Sequence, residues 1–217
     1  MTTINDIRRS IQTDVFDYQQ LMDCLKHYAK PRDKVRAMLK VGEIVRVKKG
    51  IYVFGKSYRH GPWSQEILAN LIYGPSYISF DYALRYYGFI PERVVAVTSA
   101  TLSRSRRFDT PVGMFTYRSL STHKYSIGID QRQLEAGQHF LIASPAKALA
   151  DKIWTDHRFT PRKIADFRAY LREDLRIPPD ALSGIDRTLL DHIAQQYRSR
   201  KIRLLRDYLC QAGGTGP

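Results

Sequence analysis

The residues best suited to chemistry in this sequence are cations at the tip of a predicted hairpin. Residues 41–54 read VGEIVRVKKGIYVF, which places Arg46, Lys48 and Lys49 between or beside two short apolar segments. Gly50 suits the end of a three-residue loop, because glycine adopts positive φ at little steric cost. Cations at such a tip either remain solvated on an exposed edge or bind phosphate oxygens.

The strands of this hairpin predict one apolar face and one mixed face. A loop of residues 48–50 places four apolar side chains together: Val45, Val47, Ile51 and Val53. The other face pairs Arg46 with Tyr52 and Ile44 with Phe54. We expect the first face to dock on neighbouring helices and the charged tip to stay free.

Three helical patterns precede the hairpin. Thr3 can cap the first, and Asp17 followed by Gln20 forms a capping box for the second. Pro31 suits the first position of a third helix that ends at Gly42. Three helices followed by a basic-tipped hairpin predict a winged helix-turn-helix over residues 1–56.

The predicted third helix carries its own cations. Arg32, Arg36 and Lys40 recur every four residues on one outward arc, and Lys34 projects on the far side of the apolar stripe. In a winged helix this helix enters the major groove, and the wing contacts the phosphate backbone. These positions predict a site for double-stranded DNA.

Charge and composition favour a polyanionic partner. The 217 residues include 35 Lys and Arg against 21 Asp and Glu, a net charge of +14, and residues 1–60 hold 13 cations against six acids. Such an excess indicates nucleic acid or an anionic membrane. A bilayer crossing needs about 20 apolar residues, and neither such a run nor a signal-peptide core is present, so we expect no membrane association. Two cysteines are too few for a disulfide framework, and we expect a cytoplasmic protein.

Residues 57–217 predict a mixed α+β domain that follows a linker at residues 55–62. Predicted helices cover residues 63–72 and 80–87, the second capped by Ser79. Further helices start at Ser144 and run over about 185–209. Predicted strands cover residues 94–99, 114–118, 125–129 and 139–143.

No catalytic motif stands out in this domain. The zinc-protease, nucleophile-elbow, P-loop and Cys-pair patterns are absent, and Asp130 with Glu135 is a weak acid/base pair. We therefore expect no catalytic residues, metal or cofactor. Two basic clusters stand out instead, Arg104, Arg106 and Arg107 before a predicted strand, and Arg200, Lys201 and Arg203 on the last helix. Each forms a secondary basic surface that is either solvated, extends a nucleic-acid footprint, or faces an acidic protein.

Several blocks of the chain resemble one protein family. Residues 77–92 (YISFDYALRYYGFIPE) are similar to the signature block of AbiEi-type antitoxins of the AbiE (type IV) toxin–antitoxin and phage-defence systems of bacteria. The resemblance continues through residues 97–99, 107–118 and 143–152, and the predicted winged helix also matches. It implies a repressor that binds inverted repeats in operator DNA and counters a nucleotidyltransferase-like toxin. Carried onto this chain, the cations of the third helix and the wing would face the operator.

Two other functions remain open from the sequence. One is a stand-alone DNA-binding regulator whose second domain senses a ligand or binds another protein. The other is a nucleic-acid enzyme whose carboxylates come from distant segments. A nucleotidyltransferase-like reading frame beside the gene would favour the antitoxin.

Overall fold

The N-terminal module is built in the order helix, strand, helix, helix, strand, strand. The computed structural model of the chain describes residues 3–134 and 137–212. The elements of this module are α1 (Ile4–Ser10), β1 (Val15–Asp17), α2 (Tyr18–Cys24), α3 (Pro31–Lys40), β2 (Ile44–Lys48) and β3 (Ile51–Phe54). The strands form an antiparallel sheet in the order β1-β3-β2. This is the predicted winged helix-turn-helix, with β1 as a strand that the sequence pattern did not indicate.

Local signals set the ends of these helices as predicted. Thr3 and Asp6 form a capping box at α1, and Asp17 and Gln20 form one at α2. Each box satisfies two backbone N–H groups that a helix start would otherwise leave unpaired. Beyond the end of α3, Gly42 takes φ +75° and turns the chain into β2.

The register of the hairpin differs from the prediction at its tip. Val45 lies opposite Val53, as predicted, but Lys48 rather than Val47 lies opposite Ile51. The ladder shifts between Arg46 and Lys48, so that Val47 occupies a bulge and the turn shortens to Lys49 and Gly50. Gly50 has φ +90°, which explains the glycine at this corner.

The prediction of what covers each face of the wing was wrong. Val47 and Val53 are buried against the C-terminal body, together with Val15 of β1. It is the opposite face that packs on the helices, through Ile44, Tyr52 and Phe54. A strand that is apolar on both faces needs cover on both, and the second cover comes from the rest of the chain.

That second body is a mixed six-stranded sheet flanked by helices, and the predicted α+β fold is confirmed. The predicted division at residues 56 and 57 falls between β3 and α4. The elements are α4 (Gln65–Ile72), β4 (Ser76–Ile78), α5 (Phe80–Tyr86), β5 (Ala96–Thr101), β6 (Arg106–Thr110), β7 (Gly113–Ser119), α6 (Thr122–Tyr125), β8 (Ile129–Gln133), β9 (His139–Ala143), α7 (Pro145–Thr155), α8 (Asp166–Ala169), a π-helical turn (Tyr170–Asp174), α9 (Pro179–Ser183), α10 (Arg187–Tyr197) and α11 (Arg200–Ala212). The strand order is β6-β7-β5-β4-β9-β8.

Three predicted elements of this body were wrong in detail. The strand predicted over residues 125–129 is displaced, because the chain makes the short helix α6 and enters β8 only at Ile129. The helix predicted over 185–209 is two helices, α10 and α11, separated where Arg198 takes the left-handed conformation with φ +48°. Ser79 does precede α5, but its side chain makes no capping hydrogen bond.

The hydroxyl of Ser79 instead joins a buried polar network between the sheet and the helices. Asp151 of α7 accepts hydrogen bonds from Ser79 Oγ at 2.6 Å and from the Tyr77 hydroxyl at 3.2 Å. Lys147 Nζ lies 2.5 Å from an Asp151 carboxylate oxygen and 2.5 Å from the Tyr197 hydroxyl. Tyr197 also donates to Asp151. The side chains of Lys147 and Asp151 are both 0% exposed.

Protonation in this network follows from its burial. Removal from water lowers the pKa of Lys147, with Asp151 acting in the opposite direction. Burial and the nearby carboxylate raise the pKa of Tyr197 well above its usual value, so the phenol stays a donor. The network joins β4, α7 and α10, and every charged group in it has an opposite or hydrogen-bonding partner.

We predict that Asp151→Asn destabilises the protein by about 3–5 kcal/mol, because it leaves the Lys147 ammonium buried without its counter-charge. Asp81→Asn is the matched control, since Asp81 pairs with Lys152 of the same helix at 2.5 Å but with side chains 27% and 15% exposed. The control should cost less, because water still reaches both side chains of this pair in the folded protein. Chemical denaturation of both variants, followed by circular dichroism, measures the difference. Equal losses would show that burial of the Lys147–Asp151 pair is not what matters.

Candidate nucleic-acid interface

Helix α3 presents a row of cations to solvent. Its Val35 and Met38 are buried in the N-terminal core, at 5% and 0% exposure. Arg32, Arg36 and Lys40 lie on the exposed side, as predicted from their spacing, whereas Lys34 is half-buried. One face of the helix is therefore packed in the core, and the face that carries the cations is open to solvent.

The dimensions of this row suit a DNA groove. An α-helix with its side chains is about 10–12 Å across, so it fits the major groove, which is about 12 Å wide. The row from Arg32 to Lys40 then extends for about 12 Å along the helix axis. Arg36 makes one ion pair, with Asp33 at 3.5 Å, and both side chains are more than half exposed. Exposed pairs of this kind contribute little, so Arg36 can exchange Asp33 for a phosphate or a base edge.

A close backbone contact holds the wing against the end of α3. Gly55 directly follows β3, and Glu43 directly precedes β2. The Gly55 N–H donates a 2.8 Å hydrogen bond to the Glu43 carbonyl oxygen. A Cβ at Gly55 would lie 1.9 Å from the Gly42 carbonyl oxygen, so that no other residue fits here without moving the backbone. The wing is thereby fixed in position relative to α3.

Lys48 does not occupy the free position that was predicted for it. Its Nζ donates a 2.7 Å hydrogen bond to the carbonyl oxygen of Ile72, at the C-terminal end of α4. The same ammonium lies 5.0 Å from the centroid of Phe108 and 5.9 Å from that of Tyr73. A cation is favoured at the negative end of a helix dipole and over an aromatic face, so Lys48 joins the wing to the C-terminal body.

Two wing cations remain as predicted. Arg46 and Lys49 are both exposed, and Lys49 lies at the turn itself. With Arg32, Arg36 and Lys40 they give five solvent-facing cations on a helix and a hairpin that are fixed relative to one another.

The two secondary basic clusters also contain both cations that are engaged within the protein and cations that face solvent. On α11, Lys201 is half-buried. It donates to the carbonyl oxygen of Ile153 in the last turn of α7, at 3.1 Å, and to that of Asp156 just after this helix, at 2.7 Å. Burial lowers the pKa of Lys201. Arg200 donates to the Arg162 carbonyl oxygen at 2.8 Å, and Arg203 is exposed. This cluster contributes chiefly to holding the C-terminal helices together.

The other cluster lies on or beside the edge strand β6. Arg106 and Arg107 are within the strand rather than before it, and Arg104 precedes it; all three are exposed. Arg107 is engaged by Asp109, with nitrogen–oxygen distances of 3.0–3.1 Å, and this carboxylate raises the pKa of the guanidinium. Arg106 lies over the ring of Tyr73 instead, 5.7 Å from its centroid.

One arginine that the sequence pattern did not single out has a structural role. Arg8 is 9% exposed and donates to the carbonyl oxygens of Ile11, Gln12 and Thr13 at 2.9–3.0 Å. It also pairs with Asp14 at 3.2 Å. Nothing in its spacing distinguishes it from a surface cation, because its partners are backbone oxygens of the following loop.

No three histidine, cysteine or acidic side chains among residues 3–134 and 137–212 gather as a metal site would require. Asp130 pairs with Arg132 at 3.3 Å, while Glu135, its predicted companion, lies outside the described residues. None of the described helices has both the length and the apolar composition of a membrane span. What the described cations can do is bind an anionic surface.

Neither a family profile nor the sequence of a curated protein matches this chain. Its fold is similar to that of the protein Rv2827c from Mycobacterium tuberculosis, known from a crystal structure, with a TM-score of 0.63. The match covers 97% of this chain and 75% of the other at 15% sequence identity. At that identity the similarity bears on the fold alone.

We predict that Lys48 and Lys49 have separable roles. Lys48→Ala should lower the free energy of unfolding by about 2 kcal/mol, because it removes a charged hydrogen bond to the end of α4. Lys49→Ala should leave thermal stability unchanged and weaken binding to all duplexes alike, with the slope of log K against log salt reduced by about 0.9. Melting curves and fluorescence anisotropy on a labelled duplex of mixed sequence measure both quantities. If the Lys48→Ala protein is as stable as the wild type but binds DNA more weakly, Lys48 contacts DNA phosphates and does not stabilise the fold.

Proposed function

We propose that this protein is a bacterial antitoxin and transcriptional autorepressor that binds operator DNA through its winged helix. The observation that carries the DNA-binding half is the row of three exposed cations on α3, a helix whose other face is buried. Side chains on such a helix can meet base edges in the major groove. Arg46 and Lys49 would contact flanking phosphates, which add affinity without sequence information.

The antitoxin half of the proposal comes from the resemblance of residues 77–92, 97–99, 107–118 and 143–152 to AbiEi-type antitoxins. It assigns to the C-terminal body the task of countering a nucleotidyltransferase-like toxin, by direct binding or by a functional effect. The proposal includes no enzymatic activity for this chain and places it in the cytoplasm. DNA containing inverted repeats is the expected operator.

A second candidate function is a stand-alone DNA-binding regulator whose C-terminal body senses a ligand or another protein. One observation favours it, a cleft of about 740 Å³ between α5, α7 and the helices that follow. Small-molecule sites commonly have about 300–1,000 Å³. Its lining mixes cations and carboxylates with the aromatic Phe159 and Tyr170, which stack with centroids 3.7 Å apart.

The DNA-binding half is tested by reversing charge on α3. Arg36→Glu combined with Lys40→Glu should weaken operator binding more than about 100-fold, since two favourable contacts become repulsive. The melting temperature should not change, because both side chains face solvent. Gel shift with the upstream region of the operon measures the loss. The control is Arg172→Glu with Arg187→Glu, which makes the same change in net charge at two exposed positions of the C-terminal body. Comparable weakening by the control would mean that net charge, and not α3, determines binding.

The antitoxin half is tested by co-expression with the product of the adjacent gene. If the C-terminal body neutralises the toxin, the Arg36→Glu/Lys40→Glu protein should restore growth as well as the wild-type protein while failing to repress the operon. Colony counts and a promoter reporter in the same cells give the two readouts. Failure of the wild-type protein itself to restore growth would favour the stand-alone regulator.

A further inference from the structure

Most charged side chains that line the cleft between α5, α7 and the following helices are paired within the protein. Three carboxylates of the lining have cationic partners: Asp81 with Lys152 at 2.5 Å, Asp156 with Arg158 at 3.4 Å, and Glu92 with Arg176 at 3.3 Å. Two further lining residues, Arg93 and Asp174, form no ion pair within the part of the chain that the structure describes. The described lining therefore offers one unpaired positive charge and one unpaired negative charge.

The ion pair between Glu92 and Arg176 brings these two charges to the same part of the cleft. Arg93 directly follows Glu92, and Asp174 lies two residues before Arg176. Both Arg93 and Asp174 are exposed, and they do not pair with each other. The space between their charged groups is therefore open to a ligand.

A π-helical turn forms the wall of the cleft that carries Asp174. The Leu175 N–H donates to the Tyr170 carbonyl oxygen at 2.9 Å, five residues back, and Tyr170, Asp174 and Leu175 all line the cleft. The next residue, Arg176, has φ +52°, a conformation that glycine usually takes at a helix end. Single π-helical turns and non-glycine residues at positive φ are both frequent at functional sites. The local backbone thus indicates a binding role for this wall.

The carboxylate of Asp174 acts on the interior of the cleft. Burial and the hydrogen-bonded carboxylate of Asp156 raise the pKa of the Tyr170 hydroxyl, and Asp174 adds to this effect. The phenol therefore keeps its proton, and the region beside it is negative. A ligand's ammonium group is favoured at such a position, because an opposite charge nearby stabilises the charged form.

We propose that the cleft binds the zwitterion of a free α-amino acid with an apolar side chain. Asp174 binds the ammonium group, and Arg93 binds the carboxylate, which a guanidinium can grip through two parallel hydrogen bonds. The side chain of the ligand packs on Ile90, Val94 and Leu175 of the lining. The inference deepens the second candidate function, a regulator that senses a ligand, and depends on that function only for an effect on DNA binding.

The arrangement of the charges selects this class of ligand. A molecule with only one charge would leave either Arg93 or Asp174 without a partner. Because both residues adjoin one ion pair, the two charges of the ligand must lie close together, as they do on the α-carbon of an amino acid.

The test begins with isothermal titration calorimetry of the full-length protein, with L-phenylalanine and L-leucine as probes. Saturable binding of at least one is expected. N-acetyl-L-phenylalanine lacks the ammonium group, and L-phenylalaninamide lacks the carboxylate. Each analogue should bind about 10-fold or more weakly than L-phenylalanine, because each loses one charged hydrogen bond.

Variants then assign each charge to its residue. Asp174→Asn should weaken L-phenylalanine binding about 10-fold and leave the N-acetyl analogue unaffected, because that analogue has no ammonium group to lose. Arg93→Gln should have the same effect on L-phenylalanine and none on the amide. The control is Glu173→Gln, an exposed neighbour on the π-helical turn that lies outside the cleft lining, and it should bind like the wild type. Circular dichroism melting should show the same stability for all three variants.

The outcomes separate this inference from the function on which it bears. If neither amino acid binds, or if the N-acetyl analogue binds as tightly as L-phenylalanine, the inference is overturned, whatever the DNA affinity. Fluorescence anisotropy on a labelled operator duplex, with and without L-phenylalanine, tests the regulator separately. A change in DNA affinity that Asp174→Asn abolishes would support both. If L-phenylalanine binds in the cleft and the DNA affinity stays the same, the binding site stands and the ligand-sensing function fails.

Discussion

The wing sheet is apolar on both faces, and this constraint organises the rest of the molecule. Ile44 and Phe54 are buried against the N-terminal helices, while Val47 and Val53 are buried against the C-terminal body. Burial of one such side chain contributes about 1.5–3 kcal/mol, so exposing either face would be costly. A wing held in this way cannot move independently of its two neighbours. The helix that carries the exposed cations and the six-stranded sheet therefore have a fixed relation, with the wing between them.

The same principle explains the polar interior of the C-terminal body. Lys147 and Asp151 are buried only because each satisfies the other, with Ser79, Tyr77 and Tyr197 completing the hydrogen bonds. All but Tyr197 belong to residues 77–92 and 143–152, two of the blocks on which the proposed antitoxin role rests. The buried members of these blocks hold the sheet to the helices, so their part is structural. Residues that would contact such a partner need exposed positions, which the buried members of these blocks do not have.

The sequence was informative wherever a signal and its partner lie within a few residues. The capping boxes at Thr3 and Asp17, the start of α3 at Pro31 and the exposed row on α3 were all predicted in this way. The strands β1 and β4, three residues each, were not, because such short strands exist only through pairing with distant segments. The hydrogen bond of Lys48 could not be predicted from the sequence pattern either, because the Ile72 carbonyl that accepts it belongs to a distant element. The burial of both faces of the hairpin was not predicted either: only the face of Val47 and Val53 was expected to dock, and on the helices, whereas it packs on the C-terminal body and the opposite face packs on the helices.

Net charge alone therefore overstates the surface available to DNA. Of the cations singled out by spacing, Lys48 and Lys201 bind backbone carbonyl oxygens near helix ends, and Arg107 is neutralised by its own strand. The cations that stay exposed belong to helices and strands that are already fixed by burial. DNA binding would therefore require little further ordering of the backbone. In the proposed function, side chains on α3 would meet base edges, whereas those on the wing would contact phosphates. In such an arrangement sequence preference depends on a few residues of one helix, and affinity depends on how many fixed cations line the path of the backbone.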